Sequence, residues 1–391
     1  MVRFRKENSM KLTKDVIEYI EGSKGELMEL LEALCRIPAP SGHEEARAEF
    51  CHSWLSAQGS KDVYIDSALN VICPINCDGR DDIVVFMAHT DTVFPDTEPM
   101  PYHTDDKYAY SPGIGDDTAS LVVLMMVAKY ILKNDLKPNC GILIVANSCE
   151  EGLGNLKGTK QLMADYEGRI KEVYTFDNES YANIIDKCVG SHRYKISFAT
   201  EGGHSFQAFG KTNAIAVMSE LICRLYKCEP PVINNSRTSY NVGIVSGGTS
   251  VNTISQSAEM LYEYRSDTIE CLNYMNKFFE NTVDQLRSET DAVITVDVIG
   301  KRPCANDYDK DHHEAMLKKC IDICEQYTDT PCQRKSASTD CNIPMSLGIP
   351  SVCIGVYVGN GAHTREERVE IDSLPVGMKI AAELMLGYFD Q

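Results

Sequence analysis

Three apolar runs in this chain each stop at a charged group, and no other feature limits the fold as much. Residues 83–91 read IVVFMAHTD, a β-branched and apolar stretch that ends in His89-Thr90-Asp91. Residues 141–147 run into Ser148-Cys149-Glu150-Glu151-Gly152, and residues 173–176 end at Asp177-Asn178-Glu179. Short unbroken apolar runs are what fully buried strands need. Helical patterns separate them, so they predict an open α/β sheet with a ligand site outside the carboxyl ends of its strands. Taken alone, a His-x-Asp at a strand end is just the end of a core strand; the repetition is what carries the argument.

In chain order, residues 15–36 carry apolar positions at helical spacing, interrupted by Glu21-Gly22-Ser23, and read as two helices. Residues 44–58 form a further helix with Phe50, Trp54 and Leu55 inward, and 63–65 and 70–74 are short strands. Residues 94–112 are too irregular to assign. They lead to Gly113-Ile114-Gly115-Asp116-Asp117 and an apolar helix over 118–132. Asp116 stands where an N-cap would, and capping competes with any other role for it. From 189 to about 302 the texture changes. Strands are expected over 193–200, 239–245, 253–265 and 292–299, helices over 212–226 and 267–287, and a turn at Gly202-Gly203-His204-Ser205. That order predicts an α+β insert with a mostly antiparallel sheet. The α/β texture then resumes, with a helix over 312–327, an apolar strand over 350–356 running into Gly361-Ala362-His363-Thr364, and a last helix over 374–389. The expected domains are therefore 1–188 with 303–391, and 189–302.

With 391 residues, 43% of them hydrophobic, the chain can bury a large core. A net charge of -19 excludes the basic face that nucleic acid requires. No stretch is long and apolar enough to span a membrane, and the basic opening residues have no apolar segment behind them, so neither a membrane protein nor a secreted one is expected. Sixteen cysteines without a C-x-x-C pair read as reduced, mostly buried thiols in a cytoplasm. Cys149 belongs with these rather than with nucleophiles.

The strand-end groups His89, Asp116, Glu151, Asp177 and His363, with Asp91 and Glu150 beside them, form a donor set for two divalent ions. Mixed nitrogen and oxygen ligation favours zinc. One carboxylate would bridge, and two such ions share a water and polarise a carbonyl. A base that is not a ligand is still required, and one of Glu150 and Glu151 can coordinate while the other takes the proton. Gly152-x-Gly154-x-x-x-Gly158 is not a dinucleotide fingerprint. His43, His52, His103, His192, His312 and His313 lie in no motif and read as structural or surface groups.

Over nearly its whole length the chain resembles the co-catalytic dizinc metallopeptidase family of peptidase T, carboxypeptidase G, acetylornithine deacetylase and succinyl-diaminopimelate desuccinylase, with peptidase T-like members nearest. The resemblance rests on His89-Thr90-Asp91, Gly115-Asp116-Asp117, Glu150-Glu151-Gly152, Asp177, Gly202-Gly203-His204-Ser205 and Gly361-Ala362-His363-Thr364, in that order. It implies a three-layer, phosphorylase/hydrolase-like catalytic domain with an inserted lid or dimerisation domain. It also implies Asp116 as bridging ligand, His89 and Asp177 on one metal, Glu151 and His363 on the other, Glu150 as general base and Asp91 orienting His89. His204 would stabilise the oxyanion, while Asn252 and Arg265 would hold substrate. The implied cofactors are two divalent ions, zinc first, with cobalt and manganese as alternatives. The implied activity is hydrolysis of short peptides, aminopeptidase or tripeptidase in type, by a metal-bound water activated by Glu150. An N-acyl amino acid deacylase or carboxypeptidase using the same site is the alternative, and a non-catalytic metal- or peptide-binding protein a second one. A homodimer through the insert is a further expectation. Thr118 stands where relatives often carry lysine and Glu263 where aspartate is frequent; neither change removes a ligand.

Overall fold

The computed structural model describes residues 12–328 and 330–389; residues 1–11, most of the basic opening stretch read above for a signal, lie outside the described residues. The chain divides into two compact units, Met1–Lys187 with Asp307–Gln391, and Cys188–Asn306.

The main sheet has eight strands among the described residues. Their order is Tyr64–Ile65, Val71–Ile75, Gly141–Asn147, Ile83–His89, Ile170–Phe176, Ser351–Ile354, Asn183–Cys188 and Gln333–Ala337. The middle four run parallel. Ile83–His89 and Gly141–Asn147 are buried at every residue, for a reason visible in the packing. Val84, Phe86 and Ala88 join one apolar cluster, with residues of the Lys24–Arg36, Ser120–Lys133, Lys310–Tyr327 and Ser373–Leu386 helices. Ile83, Val85 and Met87 join another, with Leu162 and Met163 of the Lys157–Asp165 helix. A strand sandwiched between two helical layers has no polar face to show, hence no alternation. Truncating Phe86 to alanine in such a site costs about 3–5 kcal/mol.

From Ile83–His89 the chain moves to Gly141–Asn147 on one side and then to Ile170–Phe176 on the other. That reversal opens a crevice at the carboxyl ends. The register pairs His89 with Asn147, so the charged residues that follow both strands emerge at one level.

Residues 94–112, unassigned from sequence, contain the strands His103–Thr104 and Tyr108–Tyr110, which form a small sheet with Gly359–Asn360 and Arg368–Glu370. His103–Thr104 pairs locally with Tyr108–Tyr110, whose other partner, Arg368–Glu370, is distant in the chain, and runs this short show no periodicity.

The inserted unit has a four-stranded antiparallel sheet in the order Thr238–Gly247, Ser257–Ser266, Gly190–Ala199 and Val293–Arg302. Here alternation holds along the two central strands. Tyr194, Ile196 and Phe198, with Met260, Tyr262 and Tyr264, are buried in one cluster with Leu221 of the Ala214–Leu225 helix and Phe279 of Ile269–Glu289. Arg193, Lys195, Glu259, Glu263 and Arg265 occupy the other face and pair across it. The stretch read as one strand over 253–265 is two, and Gly203–His204, read as a turn, pairs with Thr253–Ile254.

Candidate metal centre

His89, Glu151 and Asp177, at or just beyond the carboxyl ends of main-sheet strands, converge with Asp116 of the Ile114–Ala119 turn and with His363. His89 Nε2 lies 3.0 Å from Asp116 Oδ1, and His363 Nε2 lies 2.9 Å from Asp116 Oδ2 and 3.1 Å from Glu151 Oε1. Three groups of donor atoms fall within 4.8 Å of one another: His89, Asp116 and Asp177; Asp116, Glu151 and His363; and His89, Glu150 and Glu151. Asp116 thus belongs to two of them. It does not cap the following helix, Ser120–Lys133: Ala119 stands at that position, with no side-chain cap bond.

The electrostatics favour a cation. Burial alone would push the Asp116 carboxyl up, but hydrogen bonds from His363 and His89 hold it well below the usual carboxylate range. His363 is pushed up to about 11 by its bonds to Asp116 and Glu151. Burial and the neighbouring charge of Asp116 drive Asp177 the other way, well above its ordinary value. Burial likewise raises Asp117, whose carboxylate accepts from the His89 amide at 3.0 Å. Two imidazoles are thus set among more carboxylates than they can neutralise.

The spacing tests whether such ions fit. Two ligands of one tetrahedral zinc, each at about 2.0–2.2 Å, stand roughly 3.4 Å apart. The imidazole-to-carboxylate separations of 2.9 to 3.1 Å are close to that, and the nitrogen and oxygen donors suit zinc. The residues present fit two ions that share Asp116.

The loops bearing these groups are gripped from behind. Asp91 is fully buried; its Oδ1 accepts from the Glu150 amide and its Oδ2 from the Glu151 amide, each at 2.9 Å, and Ser41 also donates to Oδ2. Its own carbonyl lies 3.0 Å from His89 Nδ1, nearer than its carboxylate at 3.4 Å. Asp91 therefore meets His89 Nδ1 through its backbone and the Glu150-Glu151 amides through its carboxylate. Glu44 Oε1 accepts from the Cys149 amide at 3.0 Å. Cys149 and His363 hold φ at +57° and +65°, a conformation that costs a non-glycine residue of order 1–3 kcal/mol and persists only where surrounding contacts enforce it. The Cys149 thiol is buried, and desolvation pushes it up to about 12, so it is no nucleophile at neutral pH.

Three carboxylates here belong to no motif read in the sequence: Glu44, Glu367 and Asp340 are all buried, as is Asp117 of the Gly115-Asp116-Asp117 motif. Asp340 accepts from Asn147 and Thr159, and burial, then the charge of Glu150, pushes it up to about 7. Thr118, at the departure from the family pattern, donates to the Gly113 carbonyl at 2.6 Å and accepts from Arg47 at 3.1 Å.

Three residues expected to touch substrate lie in the inserted unit. His204 is exposed, and its Nδ1 accepts from the Phe206 amide at 3.3 Å. Asn252 is exposed on the neighbouring turn, its carbonyl accepting from the Ser205 amide. Arg265 is half-buried and pairs with Glu263 at 2.9 Å.

The family described as Peptidase family M20/M25/M40 matches residues 85–387. A protein named putative succinyl-diaminopimelate desuccinylase DapE, from Mycobacterium tuberculosis, is 23% identical over 93% of this chain and 99% of its own length. Among solved structures, a tripeptidase from Staphylococcus aureus superposes with a TM-score of 0.72 at 22% identity, covering 92% of this chain and 97% of that one. The Bacillus subtilis YXEP protein, described as a dinuclear metal binding peptidase, superposes with a TM-score of 0.63 at 16% identity, covering 93% and 98%.

Proposed function

Since the chain belongs to peptidase family M20/M25/M40 and is a metal-dependent hydrolase of peptide or amide bonds, we propose that it is a dizinc aminopeptidase or tripeptidase acting on short peptides. The observation that carries this reading is the pair of donor triads sharing Asp116. His89 and Asp177 would hold one ion, Glu151 and His363 the other, and Asp116 both. Two divalent ions there would polarise the amide carbonyl and lower the pKa of a water.

Glu150 takes the proton of the attacking water and passes it to the leaving amine. It is 5% exposed, belongs to a donor group with His89 and Glu151, and has its amide tied to Asp91. That tie keeps base and ligand, neighbours in sequence, aimed at the same place. In the inserted unit, acceptance at His204 Nδ1 puts the proton on Nε2, which then donates to the developing oxyanion. The Arg265 fork holds the substrate carboxylate and Asn252 its carbonyl. The exposed edge strand Thr238–Gly247 supports a homodimer through this unit. Sixteen free cysteines support a cytoplasmic location; among the described residues, no helix is long and apolar enough to cross a membrane.

The match to a desuccinylase favours one other reading, an N-acyl amino acid deacylase on the same site. Metal-replete protein offered free-amine tripeptides alongside N-acetyl and N-succinyl amino acids separates the two. Release of free amino acids from the tripeptides is expected, and hydrolysis confined to the blocked substrates would overturn the peptidase reading.

A further inference from the structure

Glu367 follows His363 by four residues and is 2% exposed. Both of its carboxylate oxygens are spent on one loop: Oε2 accepts from the Gly113 amide at 2.8 Å, while Oε1 accepts from the Gly115 amide at 2.8 Å and the Asp116 amide at 2.7 Å. Its own carbonyl accepts from the Ser111 amide at 3.3 Å, so the grip runs along the whole approach to Asp116. Gly115 is required by that approach. A Cβ there would stand 2.9 Å from Glu367 Oε1 and 2.9 Å from Tyr357 Oη.

A buried carboxylate that accepts three consecutive-loop amides behaves as a mould for the backbone, because moving the loop strands a charge without partners. What the mould fixes is specific. It ties the segment that carries His363 to the loop that carries Asp116, two groups that meet at 2.9 Å although 247 residues separate them in the chain. Arg365, between His363 and Glu367, is anchored independently by a two-point pairing with Asp96 at 2.9 and 2.7 Å.

We propose that Glu367 is a positioning residue that sets the placement of Asp116 against His363, and so governs the affinity of the ion on the Glu151–His363 side more than that of its neighbour. The inference rests on the two-ion reading above. Its asymmetry follows from the connections. Loss of the grip removes the tie between the Asp116 loop and the His363 segment, which is then held to Asp96 through Arg365, whereas on the side of His89 and Asp177 no such tie is lost and the His89 amide stays bonded to Asp117.

The test is a calorimetric zinc titration of chelator-stripped protein, wild type against Glu367→Gln. Wild type takes up two ions. The variant keeps one near wild-type affinity and binds the other about 10- to 100-fold more weakly, the usual effect of removing a partner behind a ligand. Its kcat falls and recovers as zinc is raised, with KM little changed. Gly115→Ala presses on the same contact without altering charge, and the same single-ion weakening is expected; far-UV circular dichroism and melting of the stripped proteins establish that both variants are folded. Two ions bound within twofold of wild type by both variants would overturn the proposal. So would equal weakening of both ions alongside a lowered melting temperature, which is what a merely structural residue would give. Failure of wild type itself to take up two ions would remove the underlying reading, and this inference with it.

Discussion

His89 and His363 in the large unit sit against carboxylates, whereas His192 in the inserted unit sits against Tyr264 Oη at 2.8 Å and Asn276 Oδ1 at 3.3 Å. The consequences are opposite. Burial works against a charged His89, but hydrogen bonds to Asp116 and Asp91 keep its pKa well above the ordinary value. Burial, helped by the charge of Lys301, lowers His192 to about 4, and the ring is neutral. The same contrast runs through the acids. In the inserted unit Glu263 answers both Arg193 and Arg265, and Glu259 answers Lys195. In the large unit Asp116, Asp117, Glu150, Glu151, Asp177 and Asp340 crowd around two imidazoles. One unit balances its polar groups internally; the other is built with a deficit of positive charge that divalent ions make good.

That contrast can be broken most sharply at Glu150. Glu150→Ala should cost roughly 10²–10⁴-fold in kcat, the usual worth of a general base, while metal content by atomic absorption stays that of wild type. A variant as fast as wild type would remove the proposed base. A smaller effect, with a change of sign, is expected at Asp177. Asp177→Asn removes a buried like charge, so the metal-free protein should melt a few degrees higher, while the zinc-loaded protein gains less from zinc than wild type does. Melting curves with chelator and with zinc measure both; an undiminished zinc-induced rise would mean that Asp177 is no ligand.

The smallest effect belongs to the inserted unit. The unfolded chain protonates His192 near pH 6.5, the folded chain only near pH 4. Between those values the unfolded state alone gains the proton, so stability declines as pH falls through the window and levels off below it. His192→Gln should flatten that part of the stability profile, followed by urea unfolding at a series of pH values, and leave zinc affinity untouched. An unchanged slope would show that the pH dependence arises elsewhere.

How much of this was legible beforehand differs by element. The buried strands Ile83–His89 and Gly141–Asn147 could be read because a strand covered on both faces must be apolar throughout, and the inserted sheet because one covered face imposes alternation. The strands Tyr108–Tyr110 and Arg368–Glu370 could not, since each is three residues long and pairs with the other across most of the chain. The histidines and acids that end strands declared themselves by interrupting apolar runs. Glu367, Glu44 and Asp340 did not, because a carboxylate among other charged or polar residues reads as a solvated surface until the fold buries it.

The sequence by itself determined the layering of the large unit, because its buried strands and amphipathic helices are local patterns of apolar and charged residues with a physical period or an abrupt end. Only the tertiary structure decided which donors meet. Asp116 comes between His89 and His363, and Glu151 against His363, through contacts that span from 27 to 247 residues of chain. Short-range propensity carries no information at that distance; sheet order, and buried carboxylates gripping backbone amides, do.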